Sequence, residues 1–191
     1  SKIPQERIKK YYGRSSQIIY PFVEDEIFNE DLVPTPEKFS APYFLIITRL
    51  VSWKKIDFAL EACAKLDLSL KVIGTGPDES RLKNLAKGSK RIEFLGYVSK
   101  QDKYNLIKNC SAVIVTQKED FGIVPVETMA LGKPVIAYGK GGVCETILEN
   151  KTGVFYNEQS SEGLMNVLAN FYPGRFSSQD CAEQAKKFKK T

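Results

Sequence analysis

From residue 43 onward, short apolar runs alternate with stretches whose apolar residues recur at helical spacing. Tyr43–Thr48 is a strand-type run, and Lys54–Leu66 follows with Ile56, Ala59, Leu60, Cys63 and Ala64 on one helical face. Leu70–Ile73 predicts a second strand, closed by Gly74-Thr75-Gly76-Pro77, and Asp78–Lys87 a helix with Leu82 and Leu85 turned inward. Ile92–Leu95 predicts a third strand ended by Gly96. Ser99 can then cap a helix over Lys100–Asn109, whose Tyr104, Leu106 and Ile107 are available to pack. Ala112–Thr116 and Val135–Tyr138 predict the fourth and fifth strands, with a helix over Val124–Leu131 between them that Gly132 stops. A short helix over Val143–Glu149, a sixth strand over Gly153–Tyr156 and helices over Ser160–Phe171 and Gln179–Lys190 complete the series.

Strands and helices that alternate across short loops form right-handed crossovers. The expected fold is therefore α/β: a mostly parallel, doubly wound sheet of about six strands with helices on both faces. In such sheets a ligand sits beyond the carboxyl ends of the strands, where strand order reverses. The loops placed for chemistry are then Arg49–Lys55, Gly74–Pro77, Gly96–Ser99, Gln117–Pro125 and Gly139–Gly142. Residues 1–40 depart from the pattern and read as a linker or edge segment entering the domain. They hold a basic amphipathic helix (Ile3–Tyr12), a strand-like Gln17–Tyr20 and an acidic, proline-bearing stretch from Pro21 to Pro36, expected to strap along the sheet edge. Residues 41–175 form the expected α/β domain and 176–191 a closing helix.

Composition excludes more than it identifies. With 42% hydrophobic and 27% charged residues, the chain matches ordinary globular domains, which removes disordered and low-complexity classes. The longest fully apolar stretch, Tyr43–Ile47, is far short of the roughly 20 residues that a membrane-spanning helix needs. No basic-then-apolar leader opens the sequence, so the expected location is the cytoplasm, with the inner face of the plasma membrane as the alternative. A net charge of +5 suits an anionic small molecule or a membrane surface and is too small to argue for nucleic acid. The tail Lys186-Lys187-Phe188-Lys189-Lys190 reads as a solvated helix face, with contact to anionic lipid as the other reading. Cys63, Cys110, Cys144 and Cys181 show no C-x-x-C spacing, and the chain has no His. That removes the common zinc sites and any His-based triad within the chain, and leaves the cysteines as reduced core residues.

Four segments carry candidate chemistry. Arg49-Leu50-Val51-Ser52-Trp53-Lys54-Lys55 puts an Arg just past a buried strand and a Lys at a helix start. A cation there opposes the helix dipole at a cost of roughly 0.3–1 kcal/mol, which a bound anion would reverse. The bland reading is a solvated loop. Gly74 and Gly76 allow a backbone to approach a ligand closely, or simply make a tight turn. Glu119-Asp120-Phe121-Gly122-Ile123-Val124-Pro125-Val126-Glu127 separates two glutamates so that one lies in a loop and the other about one turn into a helix. Carboxylates accept paired hydrogen bonds from vicinal hydroxyls, so the pair suits a sugar and a ribose; the alternative is a carboxylate favoured by the dipole. Gly139-Lys140-Gly141-Gly142-Val143-Cys144-Glu145 offers a further candidate anion nest.

In this order and spacing, the segments resemble glycosyltransferase family 4, specifically the nucleotide-sugar-binding half of a GT-B enzyme. The resemblance runs from about Ile3 to Phe188 and rests most on Glu119 and Glu127, supported by Leu131-Gly132-Lys133-Pro134-Val135-Ile136-Ala137 and Gly141-Gly142. It implies a Rossmann-like domain, with an acceptor-binding half that would precede residue 1. Arg49, Lys54 and Glu119 are implied as the catalytic set, the two cations on the donor diphosphate and Glu119 on the transferred sugar. Phe121, Gly122 and Ile123 are implied to offer backbone amides, Glu127 to bind the ribose hydroxyls, and Glu93 and Phe94 to lie beside the base. Gly74 and Gly76 complete the expected donor site. The family often has Gly after the motif lysine, where this chain has Lys55.

The sequence is similar to bacterial enzymes that transfer mannose from GDP-mannose during assembly of surface polysaccharides such as O-antigen or capsule. The resemblance implies retention at the anomeric carbon and a saccharide or lipid-linked acceptor. No Asp-x-Asp occurs, so no metal is expected. The alternatives are a UDP-sugar donor and a non-catalytic nucleotide-sugar-binding protein. A nicotinamide dehydrogenase would need Gly-x-Gly-x-x-Gly after the first strand, where Arg49-Leu50-Val51-Ser52-Trp53 stands instead.

Overall fold

The computed structural model describes residues 1–29 and 42–190. Among the described residues, six parallel strands form one sheet: β1 (Tyr43–Ile47), β2 (Ser69–Ile73), β3 (Ile92–Gly96), β4 (Ala112–Val115), β5 (Val135–Tyr138) and β6 (Gly153–Tyr156). The helices are α1 (Lys2–Tyr12), α2 (Ile56–Lys65), α3 (Glu79–Leu85), α4 (Lys100–Asn109), α5 (Ile123–Ala130), α6 (Val143–Thr146), α7 (Ser161–Leu168) and α8 (Ser178–Lys186). The spatial order β3-β2-β1-β4-β5-β6 is that of a Rossmann-type sheet and reverses beside β1.

A parallel sheet is covered on both faces, so its strands are apolar on both sides. Tyr43 and Leu45 of β1 join Val113 and Val115 of β4 under Ile107, Met129 and Cys181 of α4, α5 and α8. Phe44, Ile46 and Ile114 face the other way, onto Ile56 and Leu60 of α2, Leu82 of α3 and Leu164 of α7. The expected architecture is thus the observed one, and α8 belongs to the same core as α5. The Ser99 hydroxyl caps α4 as anticipated, accepting from the Asp102 N–H at 3.1 Å.

Several boundaries move, for local reasons. Ser52–Lys54 makes a separate 3-10 turn, and Lys55 is left-handed (φ 53°), so α2 begins at Ile56. Ala62, not Ala64, completes the buried face of α2. Leu85 is 53% exposed because α3 ends there. The helix expected over Val143–Glu149 is one turn, and Gln17–Tyr20 forms no strand. Instead Val23 makes an isolated bridge with Lys189, its N–H donating to the Phe188 carbonyl at 2.9 Å, and Ile27 is fully buried. The N-terminal strap therefore crosses the helical layer of α5 and α8 rather than the sheet edge. Residues 30–36 of the Pro21–Pro36 stretch lie outside the described residues.

Phe188 is buried within the basic tail while its neighbouring lysines are exposed, so the tail is an exposed basic face with one apolar anchor. Cys63, Cys110 and Cys181 are buried and free, and burial pushes each thiol up to about 12. Cys144 departs from the expectation of core cysteines: it is exposed on α6. Among the described residues, no helix is long and apolar enough to cross a membrane.

Candidate functional site

Beyond the carboxyl ends of β1 and β4, two loops meet. The Thr116 hydroxyl at the end of β4 donates to the Lys54 carbonyl in the loop after β1. That bond turns Lys54 toward the acidic loop, where its Nζ lies 2.8 Å from Oε1 of Glu119. The buried Gln117 side chain donates to the same oxygen. Lys54 and Glu119 are 19% and 25% exposed, enough shielding to strengthen the pair without stripping it of water. Among the described residues no bond reaches Oε2 of Glu119, which leaves a carboxylate oxygen able to accept from a hydroxyl. Arg49 shares the loop with Lys54, is exposed, and pairs with no acid among the described residues.

The glycines have a use that the sequence did not reveal. A Cβ on Gly74 would meet the Thr48 carbonyl oxygen at 1.8 Å, and one on Gly76 the Leu50 carbonyl oxygen at 2.1 Å. They seat the β2 loop against the β1 loop, with Leu50 N–H donating to the Thr75 carbonyl at 3.0 Å. Their missing side chains make room for protein backbone, which by itself accounts for glycine at both positions. The same holds after β5: Gly142 N–H donates to the Glu119 carbonyl at 2.7 Å, and a Cβ there would meet the Asp120 oxygen at 2.3 Å. That segment docks the acidic loop, and the Gly142 amide is engaged by it.

The N-terminal segment closes over the same loop. Arg7 of α1 grips Asp120 through both terminal nitrogens, at 3.0 and 2.9 Å, and the Ser1 hydroxyl donates to the Asp120 carbonyl. Glu145 of α6 accepts the Lys2 N–H at 2.9 Å and the Tyr20 hydroxyl at 2.9 Å. The bond to that carboxylate is the main reason the Tyr20 phenol lies above its ordinary value, with desolvation second. Phe121 turns inward between Tyr20 (5.8 Å between centroids) and Phe188 (5.4 Å), so only its backbone faces the loop.

Gly122 is left-handed (φ 89°) and starts α5, and Ile123 is 39% exposed in its first turn. Glu127 follows one turn later. Both its oxygens meet Nζ of Lys103, at 2.8 and 3.0 Å. A hollow of about 270 Å³ opens beside the pair, lined also by Phe22, Lys100, Tyr104 and Ile123. A larger hollow, about 640 Å³, is lined by Gln5, Glu6, Lys9 and Gly13–Ser16 and contains none of the expected site residues.

Two expected residues are not brought into this cluster. Glu93 and Phe94 lie within β3, in register with Lys71 and Val72 of β2, and short of the strand's carboxyl end. Strands lie about 4.8 Å apart, so β3 stands roughly 10 Å from β1 across the sheet. Phe94 packs toward the α2–α3 layer. Strand ends, not strand middles, reach the crevice. The sequence reading passed over Lys103, Gln117, Glu145 and Arg7. Lys103 was detectable, one turn past the Ser99 cap, but nothing in the sequence marks the other three, whose roles depend on long-range contacts. Lys55 adopts the left-handed backbone that glycine would take without strain, at a cost of roughly 1–2 kcal/mol for a side chain. Among the described residues, no three Cys, Asp or Glu groups cluster as metal ligands.

Residues 28–188 match the family described as glycosyl transferases group 1. The chain belongs to this family. Its relatives include the α-1,3/1,6-mannosyltransferase ALG2 of Dictyostelium discoideum, 30% identical over 188 aligned positions that cover 78% of this chain and 45% of the relative. The O-antigen chain mannosyltransferase C of Escherichia coli is 21% identical, covering 94% of this chain and 51% of its own length. Among solved structures, Anabaena HepE in complex with UDP superposes with a TM-score of 0.80 at 21% identity, covering 99% of this chain and 58% of that one. That likeness shows the fold. The chain spans about half the length of these curated relatives. In this group 1 glycosyltransferase chain, Glu119 in the loop after β4 and Glu127 one turn into α5 are each held by a lysine.

Proposed function

We propose that this chain is the donor-binding half of a retaining glycosyltransferase that moves mannose from GDP-mannose to a saccharide or lipid-linked acceptor in surface-polysaccharide assembly. The observation that carries the reading is the Lys54–Glu119 contact where strand order reverses. A phosphate-seeking cation and a hydroxyl-seeking carboxylate from different loops lie within one hydrogen bond of each other, so adjoining phosphate and sugar groups of one donor can reach both. The mannosyltransferase relatives support the choice of sugar.

In this mechanism the donor diphosphate takes the Lys54 ammonium and the exposed Arg49 guanidinium, whose fork matches phosphate oxygens. Glu119 turns its unengaged oxygen to the sugar hydroxyls, and Glu127 holds the ribose. As the glycosidic bond loosens, the ring gains oxocarbenium character and negative charge grows on the leaving phosphate oxygen. Removing one preorganised donor to such a charge costs roughly 3–4 kcal/mol. No metal is required, because the two cations take the role of bridging charge.

Thermal shift with GDP, UDP, ADP and GDP-mannose tests the reading. A ligand at about 100 times its Kd adds roughly 2.7 kcal/mol of stability. GDP and GDP-mannose should give the largest shifts, and Arg49→Ala and Glu127→Ala should each abolish them. If both variants respond like the parent, the site assignment fails. A second reading, a UDP-sugar donor, is favoured by the UDP complex of the structural neighbour. A larger shift with UDP than with GDP selects it. Donor binding with no transfer by the whole protein selects a non-catalytic binder.

A further inference from the structure

Glu127 is one turn inside α5 and 17% exposed, and among the described residues both of its bonds come from Lys103. Lys103 is placed for this by α4. The Ser99 cap fixes the helix start, and the Lys103 N–H closes the first turn onto the Ser99 carbonyl at 2.9 Å. Lys103 and Glu127 therefore each sit one turn into neighbouring helices of the same layer, facing each other at the rim of the sheet. The adjacent cation, Lys100, is engaged elsewhere: its Nζ lies 2.7 Å from Glu26 and 3.9 Å from Glu24 of the N-terminal strap. Lys103 is left to serve Glu127, and is itself only 22% exposed.

A carboxylate that accepts from one ammonium through both oxygens is fixed in plane and in rotamer, and each oxygen keeps a lone pair directed away from the cation. The roughly 270 Å³ hollow opens beside the pair, lined by both side chains, with Ile123 and Phe22 at its wall. We propose that Lys103 is the positioning residue for Glu127: it clamps the carboxylate so that its two outward lone pairs match the spacing of a vicinal diol. This rests on the reading that Glu127 takes the ribose hydroxyls. Lys103 does not touch the ribose. It acts through the orientation of Glu127.

Calorimetric titration with GDP and 2′-deoxy-GDP, and with UDP and 2′-deoxy-UDP, tests both layers. The parent should favour the ribonucleotide by about tenfold or more, the discrimination expected when a hydrogen bond to a charged group is lost. Glu127→Gln should reduce that ratio to about threefold or less. Lys103→Met and Lys103→Gln should reduce it to the same extent, with the affinity for the 2′-deoxynucleotide nearly unchanged. A purely structural role for Lys103 would shift the melting temperature and leave the ratio at the parent value. That result, with Glu127→Gln still losing discrimination, overturns the positioning role and leaves the ribose reading standing. A Glu127→Gln protein that keeps the full ratio, or a parent that binds neither nucleotide, overturns the ribose reading and this inference with it.

Discussion

The two ends of the paired-glutamate motif are held in different ways. Glu119 sits in a loop, and its neighbourhood is assembled from distant parts of the chain. Its carboxylate meets Lys54, 65 positions away, its carbonyl meets Gly142, and the next residue meets Arg7, 113 positions away. Glu127 sits on a helix over a filled core, and one lysine 24 positions away takes both its oxygens. The loop end is thus fixed by backbone docking between segments, the helical end by periodicity and a single side chain. A site built this way can adjust at its loop end while its helical end stays rigid.

The comparison can be broken from the helical side first. Met129 is fully buried under α5, so Met129→Ala should cost roughly 2–5 kcal/mol. At about 2–4 °C per kcal/mol for a chain of this size, the melting temperature should fall by roughly 4–20 °C. A drop under about 2 °C would mean that α5 is not held by its core face. The loop side is tested by Gly142→Ala, whose Cβ would meet the Asp120 oxygen at 2.3 Å and Phe121 Cα at 2.4 Å. Overpacking of that kind should cost roughly 1–3 kcal/mol. A variant as stable as the parent would show that the acidic loop can move away from the β5 loop freely.

The charged contacts sharpen the contrast at smaller scale. Lys54→Met leaves the half-buried Glu119 carboxylate with Gln117 alone and should cost about 1 kcal/mol. On the proposed function it should also weaken nucleotide-sugar binding by about tenfold or more, which titration would read. Stability lost with donor affinity intact would place the phosphates elsewhere. Arg7→Ala removes a pair whose partners are both 54% exposed, so the cost should be about 0.2–1 kcal/mol and should vanish in about 1 M salt. A salt-independent loss would mean that α1 holds the loop by packing rather than charge.

Much of the helical end was legible and little of the loop end was. Ser99 as a cap, Glu127 one turn into α5 and the inward face of Tyr104, Leu106 and Ile107 all follow from local spacing, and all are observed. Leu85 is exposed because α3 ends there, and Ala64 because Ala62 completes the buried face of α2 in its place. Glu93 and Phe94 fall on the strand expected for them, within β3 and short of its carboxyl end, apart from the cluster around Glu119. Gly74, Gly76 and Gly142 could be seen as places where backbone comes close, though not as places where the approaching group is the chain itself.

What the amino-acid order alone determined was the alternation of strand and helix, the two-sided apolar strands and the positions of both glutamates, because each depends on periodicities of two or 3.6 residues written along the chain. Tertiary structure decided which lysine meets which glutamate, that Arg7 reaches Asp120, and that the N-terminal strap lies over α5 and α8. Those outcomes depend on strand order and on how loops dock, and neither leaves a local mark. A side chain finds a partner far along the chain only once the sheet has set how far apart their strands lie.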